Sequence, residues 1–595
     1  MKSNQNTIID LFRTAMKKHG LDAFIVPSSD PHLSEYPANH WKAREWISGF
    51  NGSFGTVIIT QDNGALFTDS RYFLQAAAQL EGSGIELVKM GLPDSPSLPE
   101  WLCRNLHEGA NVGVDAWVYS AGELMSLQQS LSVRGISVQC DATLIDETWT
   151  DRPAIPQDPC FVLPEHFSGK SVSAKVAEIQ HILLSQKADY LLLSALDEIA
   201  WLFNIRGTDV AYNPITIAYA IVPCKGEAIL FIQPEKVTDE VRTALEQEHV
   251  TLAEYGKIES FLQKLPDSAA VMLDPAKTNY ALYGAIPATC RQICGVSPAN
   301  ELKALKNETE LEGYRRAMVK DGVALVRFFR WLEQNVETEI VTECTVGEKL
   351  KAFRSEQDCF VGESFGTIAG YNDHGAIVHY SPTAESAYRL KKEGVLLIDS
   401  GAQYFDGTTD ITRTIALGVP TEAQKRDFTL VLKGNIGLAS AVFPQNTRGS
   451  QIDVMARMPM WKDGVNYLHG TGHGVGHFLN VHEGPQSIRM EENPVTLKPG
   501  MVMSDEPGIY REGAYGIRTE NMVLIKEKAS TAFGLFYQFE TLTLCYIDKT
   551  LIEKSMLSDD EITWLNNYHQ TVYEKLSPYL DEEEKAWLEA KTSAL

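Results

Sequence analysis

The chain has 595 residues, with 53 Lys and Arg against 78 Asp and Glu and a formal net charge of −25. Hydrophobic residues make up 44% and charged residues 22%, the composition of a globular protein able to bury several cores. So acidic a balance lacks the clustered Lys and Arg that a phosphate backbone demands, and nucleic-acid partners are excluded.

By length, about three to five domains are expected. The opening MKSNQNTIID carries no apolar segment of a secretory signal. No run approaches the roughly 18 apolar residues of a membrane span, so no membrane partner is expected. The nine cysteines (Cys103, Cys140, Cys160, Cys224, Cys290, Cys294, Cys344, Cys359 and Cys545) are scattered. Only Cys290 and Cys294 are close, and nothing nearby completes a zinc or redox motif. Reduced thiols in a cytoplasmic protein are the expectation.

In chain order, Ile8, Phe12, Ala15 and Met16 form a helical face and Leu21–Val26 reads as a strand. Two further strands follow at 55–60 and 65–68, joined by the turn signal Asp62-Asn63-Gly64. The same order returns about 165 residues later. A helical pattern surrounds His181–Leu184, and strands are predicted at 188–193, 217–222 and 228–232, with Ile205-Arg206-Gly207 mirroring Ile47-Ser48-Gly49. The pattern predicts a tandem duplication of an α/β domain, its copies joined by the proline-rich stretch 151–159.

A long helix is predicted next, with Leu311, Tyr314, Met318, Leu325, Phe328 and Leu332 on one face and Asn307 and Glu310 as its capping pair. Near the C-terminus, Ser558 and Glu561 form a second capping box before a helix carrying Leu565, Tyr568, Val572 and Leu576. The acidic run 581–584 reads as a solvated helix face.

Six of the fourteen histidines fall between positions 374 and 482, and three segments of this region carry metal-ligating residue types. The apolar stretch 394–398 ends in Asp399, and Asp410 follows a turn signal at Asp406-Gly407, so the two aspartates are expected to face each other on paired strands. Next, His469, His473, His477 and His482 fall within fourteen residues, interleaved with Gly470, Gly472, Gly474 and Gly476. The glycines disfavour the helix that a His-x-x-x-His zinc motif needs, and their alternation is not a dinucleotide loop. They are expected to let backbone approach a crowded ligand. Finally, Glu506 lies in Ser-Asp-Glu-Pro-Gly, and a strand period of two puts Arg518 and Glu520 on one face.

Asp399, Asp410, His473, Glu506 and Glu520 together offer four carboxylates and one imidazole. Each carboxylate pair at about 4 Å costs on the order of 4 kcal/mol even at an effective dielectric of 20. Two divalent cations cancel that charge. Oxygen-rich ligation favours Mn²⁺, with Co²⁺, Zn²⁺ and Fe²⁺ as the other ions such a set accepts.

These five residues, with the strings Ile-Asp-Ser-Gly-Ala-Gln-Tyr-Phe-Asp-Gly-Thr-Thr-Asp, His-Gly-Thr-Gly-His-Gly-Val-Gly and Asp-Glu-Pro-Gly, resemble the pita-bread metallopeptidases of family M24. Within that family the likeness extends over the whole chain to the three-domain, cytosolic-type Xaa-Pro aminopeptidases. The resemblance implies a mixed α/β (α+β) architecture. Two tandem creatinase-like domains, 1–155 and 156–303, would precede a pita-bread catalytic domain, 304–595, with a C-terminal extension from about 536. It implies hydrolysis of the first peptide bond of peptides with proline second, by a hydroxide bridging two metals. In that pattern Asp410 and Glu520 bridge, Asp399 completes one shell, and His473 with Glu506 completes the other. Glu506 also carries the proton, His379 and His482 stabilise the oxyanion, and His469 and Arg518 line the proline side. His477 falls outside the pattern and is expected to be structural. A cytoplasmic homodimer acting on peptide substrates is implied as well.

A serine hydrolase has one handle, Gly362-Glu-Ser364-Phe-Gly366, but strand-like pieces follow Ser364 where a nucleophile elbow needs a helix. A prolidase-type dipeptidase is the nearest alternative, and the duplicated N-terminal domains speak against it. A non-catalytic pita-bread binding protein would not need all five ligands.

Overall fold

The computed structural model describes residues 2–140 and 143–595. The first repeat opens with helix α1 (Lys2–Lys18), which buries Ile9, Phe12 and Met16. Strands β1 (Ala23–Pro27), β2 (Thr56–Thr60), β3 (Gly64–Thr68), β4 (Glu86–Lys89), β5 (Asn111–Val114) and β6 (Ser137–Cys140) form one sheet in the order β4-β3-β2-β1-β5-β6. No helix or strand interrupts the proline-rich stretch between Thr148 and Phe161.

The second repeat places α2 (Val172–Gln186) before β7 (Tyr190–Leu193), β8 (Ala218–Pro223), β9 (Ala228–Ile232), β10 (Val250–Glu254), β11 (Ala270–Leu273) and β12 (Arg291–Cys294). Its sheet runs β10-β9-β8-β7-β11-β12, the order of the first sheet strand for strand. The duplication is therefore one of topology. The local mirror is looser: Ile47 lies in a helix, whereas Ile205 lies in a two-residue strand. The repeats form one compact unit, residues up to Leu163 with Lys170–Ala299. The buried His32 ring of the first repeat lies 2.8 Å from the Ser194 carbonyl and 2.9 Å from the Tyr255 hydroxyl of the second.

A second unit comprises Pro164–Gly169 and Asn300–Leu595. It opens on α3 (Glu308–Asn335), whose Asn307–Glu310 capping box and buried face match the predicted helix. Strands β13 (Phe360–Glu363), β14 (Ile368–Tyr371), β15 (Val395–Ser400), β16 (Ala402–Tyr404), β17 (Gly407–Thr408) and β18 (Ile411–Ala416) then build two small sheets, β14-β15-β18 and β13-β16-β17. Helix α4 (Glu422–Ala439), strand β19 (Val442–Pro444) and helix α5 (Gly449–Lys462) follow. The remaining strands are β20 (Gly472–Gly474), β21 (Glu483–Ile488), β22 (Val502–Asp505), β23 (Gly508–Arg511), β24 (Tyr515–Arg518), β25 (Asn521–Thr531) and β26 (Gly534–Thr541). They give a six-stranded sheet, β19-β26-β25-β22-β20-β21, and the hairpin β23-β24.

Helices α6 (Asp559–Leu576) and α7 (Glu582–Thr592) close the unit. Leu565, Tyr568, Val572 and Leu576 are buried in the same core as Val502, Met522 and Leu524 of the large sheet. The acidic run at the start of α7 is more than a solvated face. Asp581 and Glu584 cap the helix reciprocally, and Glu584, largely buried, accepts from Arg327 of α3 at 3.1 Å. Helix-start carboxylates favour caps because they satisfy orphan N–H groups.

Candidate metal centre

The two aspartates are not directly opposed. In the β15–β18 ladder Asp399 pairs with Thr412 and Ser400 with Ile411, which leaves Asp410 just ahead of the strand. The Asp406-Gly407 turn belongs instead to a small insertion, the β16–β17 pair, which sits in another sheet. Asp399 and Asp410 reach one site because the ladder brings the end of β15 beside the start of β18. Arg518 ends β24 and Glu520 lies in the two-residue step before β25, so no continuous strand aligns them. Glu520 is held instead by β18: its N–H donates to the Thr412 carbonyl at 3.1 Å, and the Thr412 hydroxyl donates to its Oε2 at 2.7 Å.

The ligand atoms of Asp410, His473 and Glu520 lie within 4.8 Å of one another. His473 Nε2 stands 3.4 Å from Asp410 Oδ2 and 3.6 Å from Glu506 Oε1. Its Nδ1 lies 2.8 Å from the Gly474 carbonyl, a contact that holds a proton on Nδ1 and turns Nε2 toward the carboxylates. Asp399 Oδ2 accepts from Arg518 Nη2 at 2.5 Å, while its buried Oδ1 has no hydrogen-bond partner.

The charge balance of the cluster suits divalent cations. Burial pushes the Asp399, Glu506 and Glu520 carboxyls upward, Glu506 to about 7 and Glu520 well above its ordinary range. The charge of Asp410 adds to burial at all three, while Arg518 opposes it. Burial works against charge on His473, but the hydrogen bond to Asp410 and the charge of Glu506 raise it to about 9. Protons are the counter-charges available to such a cluster, and divalent cations supply the same charge without them. The orphaned Asp399 Oδ1, the aimed His473 Nε2 and the carboxylate-rich donor set fit a pair of hard divalent ions.

The glycines of the histidine segment serve neighbouring backbone rather than a ligand. A Cβ at Gly472 would stand 2.0 Å from the Ser504 carbonyl, and one at Gly474 would stand 2.6 Å from the Glu483 carbonyl. Strand β20 is thus pressed between β21 and β22, which sets His473 beside Glu506. From α5, Arg457 donates to the carbonyls of Tyr467 and His469 at 2.6 and 2.8 Å, and Asp453 accepts from the Thr471 hydroxyl at 2.5 Å.

Around the five residues, His482 packs edge-on to His473 with ring centres 4.4 Å apart. His469 Nε2 lies 2.8 Å from the Tyr510 hydroxyl, which also accepts from Arg518 Nη1 at 2.8 Å. Tyr510 thereby joins His469 to the Arg518–Asp399 pair, a role the sequence reading missed. His379, partly buried, follows the turn Asn372–Ala376. That turn lies tightly on the β23-β24 hairpin, where a Cβ at Gly516 would meet the Gly375 carbonyl at 1.7 Å. His477 packs against Tyr314 and Gly313 of α3. Ser364 is buried, its hydroxyl donates to the Thr409 carbonyl at 2.8 Å, and a strand follows it, so the nucleophile-elbow reading falls.

The sequence profile of metallopeptidase family M24 matches residues 312–527, and creatinase/prolidase N-terminal profiles match 9–146 and 151–310. A probable Xaa-Pro aminopeptidase P from Laccaria bicolor is 44% identical over 98% of this chain and 92% of its own length. The chain belongs to metallopeptidase family M24. A probable Xaa-Pro aminopeptidase P from Coprinopsis cinerea is 42% identical over 98% of this M24 chain and 97% of its own. The crystal structure of X-prolyl aminopeptidase from Caenorhabditis elegans, described as a cytosolic enzyme with a di-nuclear active site, aligns at 35% identity with a TM-score of 0.96. The alignment covers all of both chains. The C-terminal region characteristic of M24 peptidases matches residues 535–595.

Proposed function

We propose that the Asp410–His473–Glu520 cluster, with Asp399 and Glu506, holds two divalent cations with which this M24 enzyme hydrolyses the N-terminal Xaa-Pro bond of peptides. Three ligand atoms within 4.8 Å, backed by buried carboxylates, carry the site. Full-length identity to relatives named Xaa-Pro aminopeptidase P supports the reaction. Mn²⁺ suits the oxygen-rich donors.

When bound, the cations would supply a nucleophile from water at neutral pH and polarise the scissile carbonyl. Asp399, Asp410, His473, Glu506 and Glu520 would together hold them, Asp410, His473 and Glu520 from the core of the cluster. Glu506 would take the proton of the attacking water and pass it to the leaving nitrogen. His379 and His482 would donate to the developing oxyanion, and His469 and Arg518 would orient the proline side. An Xaa-Pro bond has no N–H, so a site for it must recognise ring shape and the free amino end.

The nine cysteines are all unpaired, which supports a reducing cytoplasmic location. No helix among the described residues is long and apolar enough to cross a membrane. A homodimer is supported by the exposed apolar stripe Met455, Met458 and Trp461 on α5.

The test is release of the first residue from an Xaa-Pro-containing tripeptide, run beside an Xaa-Pro dipeptide, with chelated and Mn²⁺-restored protein. Tripeptide cleavage that chelation stops and Mn²⁺ restores supports the reading. Cleavage of the dipeptide alone would assign a dipeptidase.

A further inference from the structure

The C-terminal segment that follows β26 contributes none of the five proposed ligands, yet it meets the centre through one buried side chain. Arg413 of β18, three residues past Asp410, is 3% exposed. Its five N–H donors face six acceptors in a fixed fork. Nη1 donates to the Glu520 carbonyl at 2.6 Å and the Thr412 carbonyl at 3.0 Å. Nε donates to the Tyr546 carbonyl at 3.0 Å. Nη2 faces Asn521 Oδ1 at 2.8 Å, the Cys545 carbonyl at 3.0 Å and the Tyr568 hydroxyl of α6 at 2.8 Å. The guanidinium thus holds the backbone on both of these proposed-ligand segments with one hand and the segment after β26 with the other.

Tyr568 fixes that second hand. Its hydroxyl accepts from Arg413 and from the Cys545 N–H at 3.4 Å, and it stands 2.8 Å from the Cys545 carbonyl and 3.0 Å from the Thr543 carbonyl. A parallel tie runs through β25, where the Met522 N–H donates to the Thr543 hydroxyl at 2.7 Å. Loops that must keep a ligand backbone in place need every buried N–H and C=O paired, and here the partners come from residues 543–546 and α6.

We propose that Arg413 and Tyr568 are positioning residues through which the C-terminal region sets the spacing of Asp410 and Glu520, and so the affinity of the metal pair. Neither touches substrate or the reacting atoms. The proposal rests on the assignment of Asp410 and Glu520 as ligands. Outer partners of metal ligands typically change metal affinity by about 10–100-fold when removed.

The test uses the full chain, chelated and then titrated with Mn²⁺ alone by calorimetry, as wild type, Tyr568→Phe and Val572→Ala. Val572 is fully buried on the same helix and makes no polar contact, so its truncation reports plain loss of α6 packing. The proposal expects two Mn²⁺ per wild-type chain, about tenfold weaker binding in Tyr568→Phe, and Val572→Ala with a lower Tm but unchanged affinity. Wild-type affinity in Tyr568→Phe, or equal weakening in Val572→Ala, overturns it. A wild-type chain that binds no Mn²⁺ pair overturns the ligand assignment beneath it as well.

Discussion

Asp410 and Glu520 sit where the competing forces at the site are sharpest. Both are buried beside further carboxylates, with the single imidazole of His473 and the guanidinium of Arg518 as neighbouring positive groups. Asp410→Asn or Glu520→Gln keeps the shape and removes a charge the cations need. Tripeptide hydrolysis is expected to fall about a hundredfold or more, with metal content per chain falling alongside, as measured by elemental analysis. Full activity in either variant removes them from the site. Tyr510→Phe tests the outer chain. Losing the hydroxyl between His469 and Arg518 removes hydrogen bonds of roughly 1.4 kcal/mol in total, about tenfold in kcat/KM, with bound metal unchanged. The five proposed ligands could be singled out because they fall in three short segments that together resemble one family's pattern, and the fold brings Asp410, His473 and Glu520 within reach of one another. Tyr510 could not be, because its partners come from segments 41 and 8 residues away and no local pattern links them.

Elements show a different limit of legibility. The duplicated sheets were readable from the order of helix and strand, since alternating burial marks each strand and the turn signals separate them. The facing of Asp399 and Asp410 was not, because an inserted strand pair carries the turn that seemed to join them. The run 581–584 was legible except at Glu584: Asp581, Glu582 and Glu583 are exposed as expected. Composition shows charge, while the cap and the Arg327 partner that bury Glu584 exist only in the fold. Helix α6 permits a pH prediction. His569 accepts the Ile547 N–H at 3.1 Å, and burial, aided by the charges of Lys549 and Arg413, holds its pKa down at about 3. The folded state therefore keeps it neutral. Its contribution is complete above 6.5 and is lost as pH falls from 6.5 toward 3. By pH 5 the loss is about 2 kcal/mol. Chemical denaturation at pH 7 and pH 5 should show this loss in wild type and a smaller one in His569→Gln. Equal losses in both would contradict the assignment.

Over the whole molecule, the acidity that first served to exclude nucleic acid acquires a local meaning. Four of the 78 acidic residues converge on one centre, and the two N-terminal repeats contribute none of them. Function was legible at this scale because the signature residues lie in three short segments. Assembly was less so, since an apolar stripe on a helix is read as core until its exposure is known. Met458, 43% exposed at the middle of the α5 stripe, is the position to charge. Sedimentation velocity should give a dimer for wild type and a shift toward monomer for Met458→Asp, and a monomeric wild type would remove the homodimer. The most direct test of the two-metal peptidase is a stepwise return of Mn²⁺ to chelated protein, following bound metal and tripeptide cleavage together. No cleavage is expected without metal, and activity should rise to its maximum as two ions bind per chain. Cleavage that persists in fully chelated protein would contradict it.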